Sequence, residues 1–421
     1  MRKHVYYQLQ IRLISPMNIS SGENVNTDHD VLVDSTGNPY IPGSSMAGVL
    51  RDLAENENAV FGIRLMKDNE ISESPVIVYD ARLKEGTVPK REQRDHVKLN
   101  CYRTAEDKKK FDEECIEAGA VFIGYLEIPA NRDGAVQDGL EKALNELAAR
   151  KCGFGRKTTR GFGRAELTVV KKEFDLDQAE QKKAWLDFSP FIPGAFDGLE
   201  EMKLGGEVPE DIQIRMKLKL EGGISIRVYL TSPNIEGQKE SSADFSTMKS
   251  NGNPVVPGSS WAGAFRHRYQ ELAKILDDDR RSEKALFGFV EENTSNARKS
   301  RITFSETVIT GSMPKTMTRN AIDRASGKTK DSALYTEETC YGGVGELVIT
   351  IGRDIPQISL QMLGACLCDF IHGYLPVGGL SSVGRGIFST EEMLIQGKPF
   401  NIKAENWENR LITEIKECAK R

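Results

Sequence analysis

The sequence predicts an α+β chain made of two tandem domains, each with a ferredoxin-like β-α-β-β-α-β core and long inserts. Three observations lead to this prediction. A Pro- and Gly-rich motif occurs twice, the same landmarks follow it in both halves, and strand and helix patterns alternate in each half. Residues Asn38–Leu53 read NPYIPGSSMAGVLRDL, and residues Asn253–Arg268 read NPVVPGSSWAGAFRHR. The two copies are offset by 215 residues, about half of the chain.

The repeated motif is typical of a tight turn that opens a helix. Pro39 and Pro42 fix φ and oppose a regular strand, and Gly43 tolerates conformations that other residues resist. Ser44 and Ser45 are suited to an N-cap. The free N–H groups and positive dipole end of such a helix favour a phosphate, which makes the motif a candidate anion site. The alternative is a plain turn followed by a core helix.

Other landmarks repeat in the same order and set the expected domain boundaries. Ala59–Gly62 corresponds to Ala285–Gly288, Ser74–Leu83 to Ser300–Ile309, and the Gly-rich loop Cys152–Arg164 to Val377–Phe388. We therefore expect a first domain over 1–170, a linker over 171–211, a second domain over 212–398 and a C-terminal tail over 399–421.

Composition excludes several classes of function. The chain has 57 basic and 62 acidic residues, so its net charge of −5 gives no global attraction to nucleic acid, and any RNA contact needs a local basic surface. No stretch reaches the roughly 18 apolar residues of a membrane helix, and we expect no signal peptide and no membrane association. Seven cysteines without regular spacing predict a reducing cytoplasm, and five scattered histidines disfavour a zinc site.

The combination of motifs resembles the repeat-associated mysterious protein (RAMP) superfamily of CRISPR systems. The features that carry the resemblance are the PGSS turns, the late loops GFGRKTTRGFGR and GGLSSVGRGIF, and the segments RDHVKLN and KKFDEECIEAGAVF. The likeness is strongest to the backbone subunit of type III effector complexes, and two copies in one chain are similar to the fused form of type III-D-like systems. The resemblance implies two ferredoxin-like (RRM-like) RAMP domains with inserted thumb hairpins.

This resemblance implies that the chain binds a guide crRNA within a multi-subunit complex, together with other CRISPR effector subunits and complementary target RNA. The thumb hairpins of such subunits interrupt the guide–target duplex, and the candidates here are Lys84–Cys115 and Thr310–Tyr341. Target RNA is cut beside each interruption, where the family places one aspartate in the loop before the PGSS turn. The implied enzyme is a metal-dependent endoribonuclease in the first repeat, and activity of the second repeat is left open.

Counting back eleven residues from the proline of the first NP pair places the family aspartate at Asp28, with His29 and Asp30 beside it. A carboxylate there can hold a divalent ion, Mg²⁺ or Mn²⁺, or help to remove the 2′-OH proton of a splayed nucleotide. The same count in the second repeat reaches Ala243, and a one-residue shift restores an aspartate at Asp244. We therefore expect Asp28 to be catalytic and metal-binding, with Asp244 as its candidate counterpart.

Positive and small polar residues in the repeated segments are candidates for gripping RNA phosphates without reading the base sequence. They come from the PGSS helices, the thumb candidates and the Gly-rich loops. The RNA-binding candidates are Ser44, Ser45, Arg51, Arg94, His96, Lys98, Arg156, Lys157, Arg160, Arg164, Ser259, Ser260, Arg266, Arg268, Arg319, Arg324 and Arg385. For an isolated arginine the alternative is a solvated surface residue, and for the thumb residues it is packing between subunits.

Two other functions are compatible with the sequence. The first is a non-catalytic crRNA-binding scaffold whose neighbouring subunits cut the target. The second is a metal-independent crRNA-processing endoribonuclease that uses histidine as acid or base. The few histidines, none of them in a Gly-rich loop, disfavour this second alternative.

Overall fold

A computed structural model of the chain describes residues 2–20, 22, 27–63, 72–100, 104–130, 132–150, 153–205, 211–229, 243–276, 280–291, 296–331, 333–352 and 354–420. The chain divides into two compact units. The first comprises Met1–His96, Phe111–Thr158 and Phe162–Pro209, and the second comprises Val97–Lys110, Thr159–Gly161 and Glu210–Arg421.

The first half of the chain alternates strands with helices. Its elements are β1 (Lys3–Leu13), β2 (Tyr40–Ile41), α1 (Gly43–Leu53), α2 (Glu57–Phe61), β3 (Ile77–Val78), β4 (Ala81–Leu83), β5 (Arg91–Leu99), β6 (Ala105–Ile116), β7 (Val121–Ile128), α3 (Gly134–Arg150), β8 (Ala165–Asp175) and α4 (Ala179–Leu186). The main sheet has the strand order β2-β4-β7-β1-β8. Leu9 of the central strand β1 lies opposite Gly124 of β7 and Val169 of β8 in antiparallel register.

The alternation of apolar residues in β1 decides which face of this sheet packs against the helices. Tyr7, Leu9 and Ile11 point to one side of the strand and are buried, because successive side chains of a strand point to opposite faces. They share one apolar cluster with Leu50 of α1 and Leu140 of α3. Each buried side chain of this size contributes about 1.5–3 kcal/mol, so the helices are fixed on this face.

The second half of the chain repeats the architecture. Its elements are β9 (Ile212–Glu221), β10 (Gly223–Ile224), β11 (Arg227–Tyr229), β12 (Phe245–Thr247), β13 (Lys249–Ser250), β14 (Asn253–Val256), α5 (Gly258–Ile275), α6 (Arg281–Phe287), β15 (Phe289–Val290), β16 (Ala297–Arg298), β17 (Ile302–Phe304), β18 (Thr307–Val308), β19 (Met313–Arg319), β20 (Tyr335–Tyr341), β21 (Val344–Ile351), α7 (Gln357–Ile371), β22 (Ile387–Ile395), β23 (Lys398–Pro399) and α8 (Trp407–Cys418). The main sheet has the order β17-β21-β9-β22-β23, and Met216 of β9 lies opposite Leu347 and Met393.

Both main sheets have the strand order of a ferredoxin-like fold. When the four core strands are numbered along the chain, the fourth lies beside the first, the first beside the third and the third beside the second. This order is β8-β1-β7-β4 in the first unit and β22-β9-β21-β17 in the second. The prediction of two tandem ferredoxin-like domains is therefore confirmed.

Long hairpins are inserted between the second and third core strands of both halves. The strands β5 and β6 pair as a separate sheet within the candidate Lys84–Cys115. The strands β19 and β20 pair within the candidate Thr310–Tyr341, and β20 also pairs with β10 and β12. The expected inserted hairpins are present at both places.

The helix after the PGSS turn has its N-cap two positions before Ser44, the first of the two serines. Helix α1 starts at Gly43, its N-cap is Pro42, and no side chain caps it. The expectation of a serine N-cap was therefore wrong, because Ser44 and Ser45 already lie in the first turn. Proline suits the cap position because its ring fixes φ, which is −58° at Pro42.

The segment expected to be a linker packs on the first sheet. Trp185 and Phe188, in and directly after α4, and Phe196 form an aromatic cluster with Tyr6 of β1 and Phe174 of β8. The first compact unit includes the range Phe162–Pro209, which contains nearly all of this segment. The segment is thus a structural part of that unit.

The segment expected to be a C-terminal tail contains α8, which joins the core of the second unit. Trp407, Leu411 and Ile415 are buried in the same apolar cluster as Leu363 and Leu367 of α7. Their spacing of three or four residues places them on one face of α8. Across the described part of the chain, no helix has the length and apolar character that a membrane span requires.

We predict that Leu411→Ala lowers the free energy of unfolding of the second unit by about 2–5 kcal/mol. Leu411 is fully buried, so the substitution leaves a cavity between α7 and α8. Urea denaturation of the full chain measures the effect. The matched control is Arg410→Ala, an exposed position on the same helix, which changes the free energy by no more than about 0.5 kcal/mol. Equal effects of the two variants contradict a structural role for α8.

Candidate nucleic-acid interface

Asp28 lies in an exposed loop and is held by the second strand of the first hairpin. The N–H of Asp28 donates to Oδ1 of Asp112 at 2.9 Å, and the N–H of Asp112 donates to Oδ2 of Asp28 at 3.0 Å. Because Asp112 belongs to β6, this reciprocal pair attaches the loop to the hairpin. The carboxylate of Asp28 is thus exposed to solvent and also fixed in position.

The second repeat holds Asp244 with a similar pair of hydrogen bonds, in which a backbone carbonyl replaces the carboxylate of Asp112. The N–H of Asp244 donates to the carbonyl oxygen of Thr336 at 2.8 Å, and the N–H of Thr336 donates to Oδ2 of Asp244 at 2.7 Å. Thr336 belongs to β20, the second strand of the second hairpin. The structure therefore makes Asp244, rather than Ala243, the counterpart of Asp28. The stretch between this aspartate and the proline of the NP pair is one residue shorter in the second repeat.

The neighbours of Asp28 shape its loop. Oδ1 of Asp30 accepts hydrogen bonds from N and Oγ1 of Thr27 at 2.8 and 2.7 Å, and Asp30 is buried. Nδ2 of Asn18 donates to the carbonyl oxygens of His29 and Glu114. These contacts explain why Asp28 is the accessible carboxylate, whereas Asp30 closes the turn.

A fully buried glutamate, Glu113, follows Asp112 in β6. Its Oε1 lies 2.7 Å from Nζ of Lys157 in the Gly-rich loop and 2.8 Å from Nε2 of His96 in β5. Burial alone acts to raise the pKa of Glu113, but the hydrogen bond from His96 and the charge of Lys157 outweigh it and lower the pKa to about 2. Burial lowers the pKa of His96, and Lys157 acts in the same direction, against the hydrogen bond to Glu113.

The second repeat contains the same arrangement with other cations. Glu337 follows Thr336 in β20 and is also fully buried. Its Oε1 accepts from Nη2 of Arg385 at 2.5 Å and lies 2.9 Å from Nε of Arg319. Nη1 of Arg385 also donates to Oγ1 of Thr339. Each hairpin therefore contacts its Gly-rich loop through a buried ion pair.

The two Gly-rich loops have equivalent backbones. The N–H of Phe154 donates to the carbonyl of Gly163, and the N–H of Val377 donates to the carbonyl of Gly386, both at 2.9 Å. When the two loops are aligned on these hydrogen bonds, Lys157 corresponds to Leu380. Both residues have a positive φ, 56° at Lys157 and 58° at Leu380. A short 3-10 turn follows in each loop, at Thr158–Arg160 and at Ser381–Val383.

The same alignment shows that the cation comes from a different loop position in each repeat. Lys157 neutralises Glu113 in the first repeat, and its equivalent in the second is Leu380. In the second repeat Arg385 neutralises Glu337, and the residue equivalent to Arg385 in the first repeat is Phe162. The buried glutamate is the shared feature, and its counterion is supplied in two different ways.

The arginines predicted on the PGSS helices are tied to neighbouring helices. Arg51 donates to the carbonyl oxygens of Phe61 and Gly62 at the end of α2. Arg266, its equivalent in α5, donates to Glu283 of α6 at 2.7 Å. These contacts favour a structural role over the predicted phosphate contact.

Arg268 of α5 is likewise engaged within its unit, since it donates to Asp369 of α7 at 2.7 Å and to Glu271.

At the first PGSS turn, the leading N–H group of the helix already has a protein partner. The N–H of Gly43 donates to Oδ1 of Asp80 at 2.7 Å. Access of a phosphate to this helix end is therefore restricted on one side.

The remaining predicted RNA contacts divide by exposure. Arg94 is buried in an ion pair with Glu117 at 2.7 Å, and His96, Lys157, Arg319 and Arg385 surround the buried glutamates. Exposed or half-buried positions are Ser44, Ser45, Arg156, Arg160, Arg164, Ser259, Ser260 and Arg324. Lys98 lies in β5, and its side chain is outside the described part of the structure. The exposed and half-buried residues of each unit remain candidates for contacts with RNA.

Sequence reasoning missed the residues that organise this site, namely Asp112, Glu113, Thr336 and Glu337. A signal was present, because a Glu-Glu pair follows Asp112 in one hairpin and Thr336 in the other.

Arg227 was also missed. Its guanidinium lies 4.4 Å from the ring centre of Phe245, directly after Asp244, and this is a cation–π distance.

A divalent ion fits this site only with few protein ligands. Among the described residues no group of three or more His, Cys, Asp or Glu side chains is arranged to hold a metal. Mg²⁺ accepts one or two carboxylates completed by water and phosphate oxygens, which suits the exposed Asp28. Burial acts to raise the pKa of Asp112, but hydrogen bonds from Asp28 and Gln93 outweigh it and lower that pKa. The first repeat thus combines two carboxylates, and the second has Asp244 beside Thr336.

Comparison with protein families gives one result. The model of the RAMP superfamily matches residues 10–166 and 247–389, so it covers both repeats and most of the chain. The two matched regions contain the PGSS turns, the hairpins and the Gly-rich loops. A search of curated proteins finds no match.

We predict that Gly163→Ala destabilises the first Gly-rich loop more than a positive φ alone explains. An added Cβ would lie 1.9 Å from the carbonyl oxygen of Phe154, and φ at Gly163 is +70°. Gly86→Ala is the matched control, since its φ is +80° with nothing within 4 Å of the added Cβ. The control isolates the φ cost of about 1–2 kcal/mol. Equal losses of unfolding free energy in urea titrations contradict the close contact.

We also predict that the stability difference between the unmodified chain and Glu113→Gln depends on pH. The pKa of Glu113 is about 2 in the folded state against an ordinary 4.5. Between these values the unfolded state binds more protons, so the free energy of unfolding falls as the pH falls. The advantage of glutamate is therefore complete above pH 4.5 and is lost towards pH 2. Urea denaturation across this range measures it.

The control for the pH series is Glu55→Gln, because the side chain of Glu55 is 77% exposed. It shows how the same exchange of a carboxyl group for an amide acts at the surface. A difference for Glu113→Gln that does not change between pH 4.5 and 2 would contradict the role of the buried ion pair.

Proposed function

We propose, starting from the fact that this chain belongs to the RAMP superfamily, that it cleaves complementary target RNA while holding a guide RNA in a type III effector complex. Membership makes the chain a CRISPR-associated RNA-binding subunit, since RAMP proteins bind crRNA within multi-subunit complexes. The observation that carries the finer proposal is the duplicated anchoring of an exposed aspartate, Asp28 or Asp244, on the second strand of an inserted hairpin.

The proposed reaction needs a nucleotide that the hairpin has removed from the stack. Its 2′-oxygen then attacks the adjacent phosphorus, the P–O5′ bond breaks, and the products are a 2′,3′-cyclic phosphate and a 5′-hydroxyl. The carboxylate of Asp28 accepts the 2′-OH proton, and water protonates the leaving 5′-oxygen. Hydrogen bonding to Asp112 keeps the carboxylate oriented during this step.

A divalent ion, Mg²⁺ or Mn²⁺, is the proposed cofactor, and it would supply positive charge for the negative charge that develops on the phosphate. Asp28 would hold it in the first repeat. The fit rests on the exposure of this carboxylate and on the preference of Mg²⁺ for few carboxylates.

The guide RNA is gripped by the exposed cations in this proposal. Arg156 and Arg160 lie in the first Gly-rich loop, and Arg324 lies at the end of the second hairpin. Guanidinium groups bind phosphates without reading base identity, as expected for a subunit that must accept any guide.

We predict that Asp28→Asn abolishes one of the cuts in target RNA and Asp244→Asn another. An asparagine oxygen can still accept the hydrogen bond from the hairpin N–H, so only the charge is lost. The expected loss of rate at the affected cut is about 10²–10⁴-fold, with assembly on guide RNA unchanged. Gel analysis of end-labelled target RNA measures the pattern for the reconstituted complex. The control is Asp52→Asn, an exposed carboxylate of α1.

The outcomes separate the alternatives. An unchanged cleavage pattern in both variants supports a non-catalytic scaffold whose neighbours cut. Cleavage of precursor repeat RNA that persists in the presence of a chelator supports a metal-independent processing enzyme. Loss of one cut per variant supports the proposed endoribonuclease.

A further inference from the structure

A buried glutamate stands directly after the residue that anchors each candidate aspartate. In the first repeat this is Glu113, next to Asp112, and in the second it is Glu337, next to Thr336. Both glutamates have no exposed surface. A backbone N–H of a strand lies in the plane of the sheet and a side chain points out of that plane, so the anchoring N–H and the buried carboxylate fix one stretch of strand from two directions.

One partner of each glutamate comes from the Gly-rich loop of the same repeat, and the other comes from the first strand of its own hairpin. Lys157 and Arg385 supply the charge from positions that are not equivalent, and the positions left over hold Phe162 and Leu380. Two different loop sequences thus produce the same connection between loop and hairpin. The connection therefore does not depend on one particular cation.

Stability alone does not explain this connection. Replacing a buried ion pair by apolar residues of similar volume is often neutral or stabilising, because desolvation opposes the attraction between the charges. A directional ion pair, in contrast, fixes one register between two elements. Lys157 also lies 4.6 Å from the ring centre of Phe111, which precedes Asp112, so the loop contacts the strand on both sides of the anchoring residue.

We infer that Glu113 and Glu337 are positioning residues for target cleavage, and this inference rests on the proposed function. Each glutamate holds its hairpin strand against the Gly-rich loop, so that the N–H of Asp112 or Thr336 keeps the cleaving aspartate in place. A displacement of about 1 Å at such a site lowers a rate about 10²-fold. The glutamate therefore controls the rate of the cut without touching RNA.

The two repeats provide internal controls for each other. Glu113→Gln slows the first cut about 10²-fold, while the second cut in the same complex keeps its rate. Glu337→Gln has the reverse effect. Single-turnover cleavage of labelled target by the reconstituted complex gives both rates, and guide-RNA binding is measured in parallel. Unchanged rates at both cuts, or equal losses at both cuts, overturn the inference.

A second readout does not depend on activity. Hydrogen exchange of the amide of Asp112, which donates to Asp28, accelerates in Glu113→Gln, whereas the amides of β1 keep their protection. Glu55→Gln is the matched control, because it removes a surface carboxylate that pairs with Lys142 at 3.0 Å. Equal protection of Asp112 in Glu113→Gln and in the control contradicts the positioning role.

The difference between the loops offers a rescue experiment. Lys157→Leu slows the first cut, and Lys157→Leu combined with Phe162→Arg installs the arrangement of the second repeat and restores most of the rate. Lys157→Arg keeps the rate because the charge remains. If the double variant does not fold, loss of the second cut and of guide binding reveals it, and the result for Glu113→Gln decides alone.

Failure of this inference is distinct from failure of the proposed function. If Asp28→Asn abolishes the first cut and Glu113→Gln leaves it unchanged, only the positioning role is wrong. If Asp28→Asn leaves the first cut unchanged, the proposed function itself is wrong. The exchange rate of the Asp112 amide still tests the structural link in that case.

Discussion

The burial of a charged carboxylate at the base of each hairpin is the constraint that the candidate site depends on. An ionised carboxylate loses its hydration when it is buried, and it needs a cation and hydrogen bonds in compensation. Glu113 and Glu337 obtain them from a loop that is distant in sequence. The requirement therefore brings together the hairpin, the Gly-rich loop and the acidic loop, three segments that the core strands alone would not connect.

The two repeats meet this constraint with different chemistry on the same backbone. The first uses a lysine and a histidine, and burial lowers the pKa of that His96. The second uses two arginines, whose guanidinium groups both lie against the carboxylate of Glu337. In each Gly-rich loop, one glycine lies directly against the backbone at the start of the same loop, and this explains why the two loops have equivalent backbones. At Gly163 and Gly386 any side chain would meet a carbonyl oxygen, so this contact is fixed whichever cation is present.

Much of the fold was predictable because the sequence contains an internal repeat, so that each half can be compared with the other. The repeated PGSS motif and the alternating strands predict two ferredoxin-like domains, and both sheets have the expected order. The site was less predictable. A count of residues reached Ala243 because it assumes equal loop lengths, whereas hydrogen bonding to Thr336 selects Asp244. Loop length is set by three-dimensional contacts that spacing does not report.

The arginines show a second limit of sequence reasoning. Basic residues in repeated motifs predict phosphate contacts, but Arg51, Arg266 and Arg385 are each engaged by a carbonyl or carboxylate of their own unit. A sequence shows the charge of a side chain and not the partner that neutralises it. The serine N-cap failed for a related reason, since Pro42 already sets the φ with which the helix starts.

The aromatic cluster on the outer face of the first sheet has a consequence for how bases are recognised. RNA-binding domains of related architecture stack unpaired bases on exposed aromatic rings of this face. Here the ring of Tyr6 packs against Phe188 at 5.1 Å and that of Tyr125 against Phe196 at 6.0 Å. These rings are occupied by the protein itself and provide no platform for nucleobases. If the chain acts as proposed, the bases of a bound RNA are therefore not stacked on Tyr6 or Tyr125.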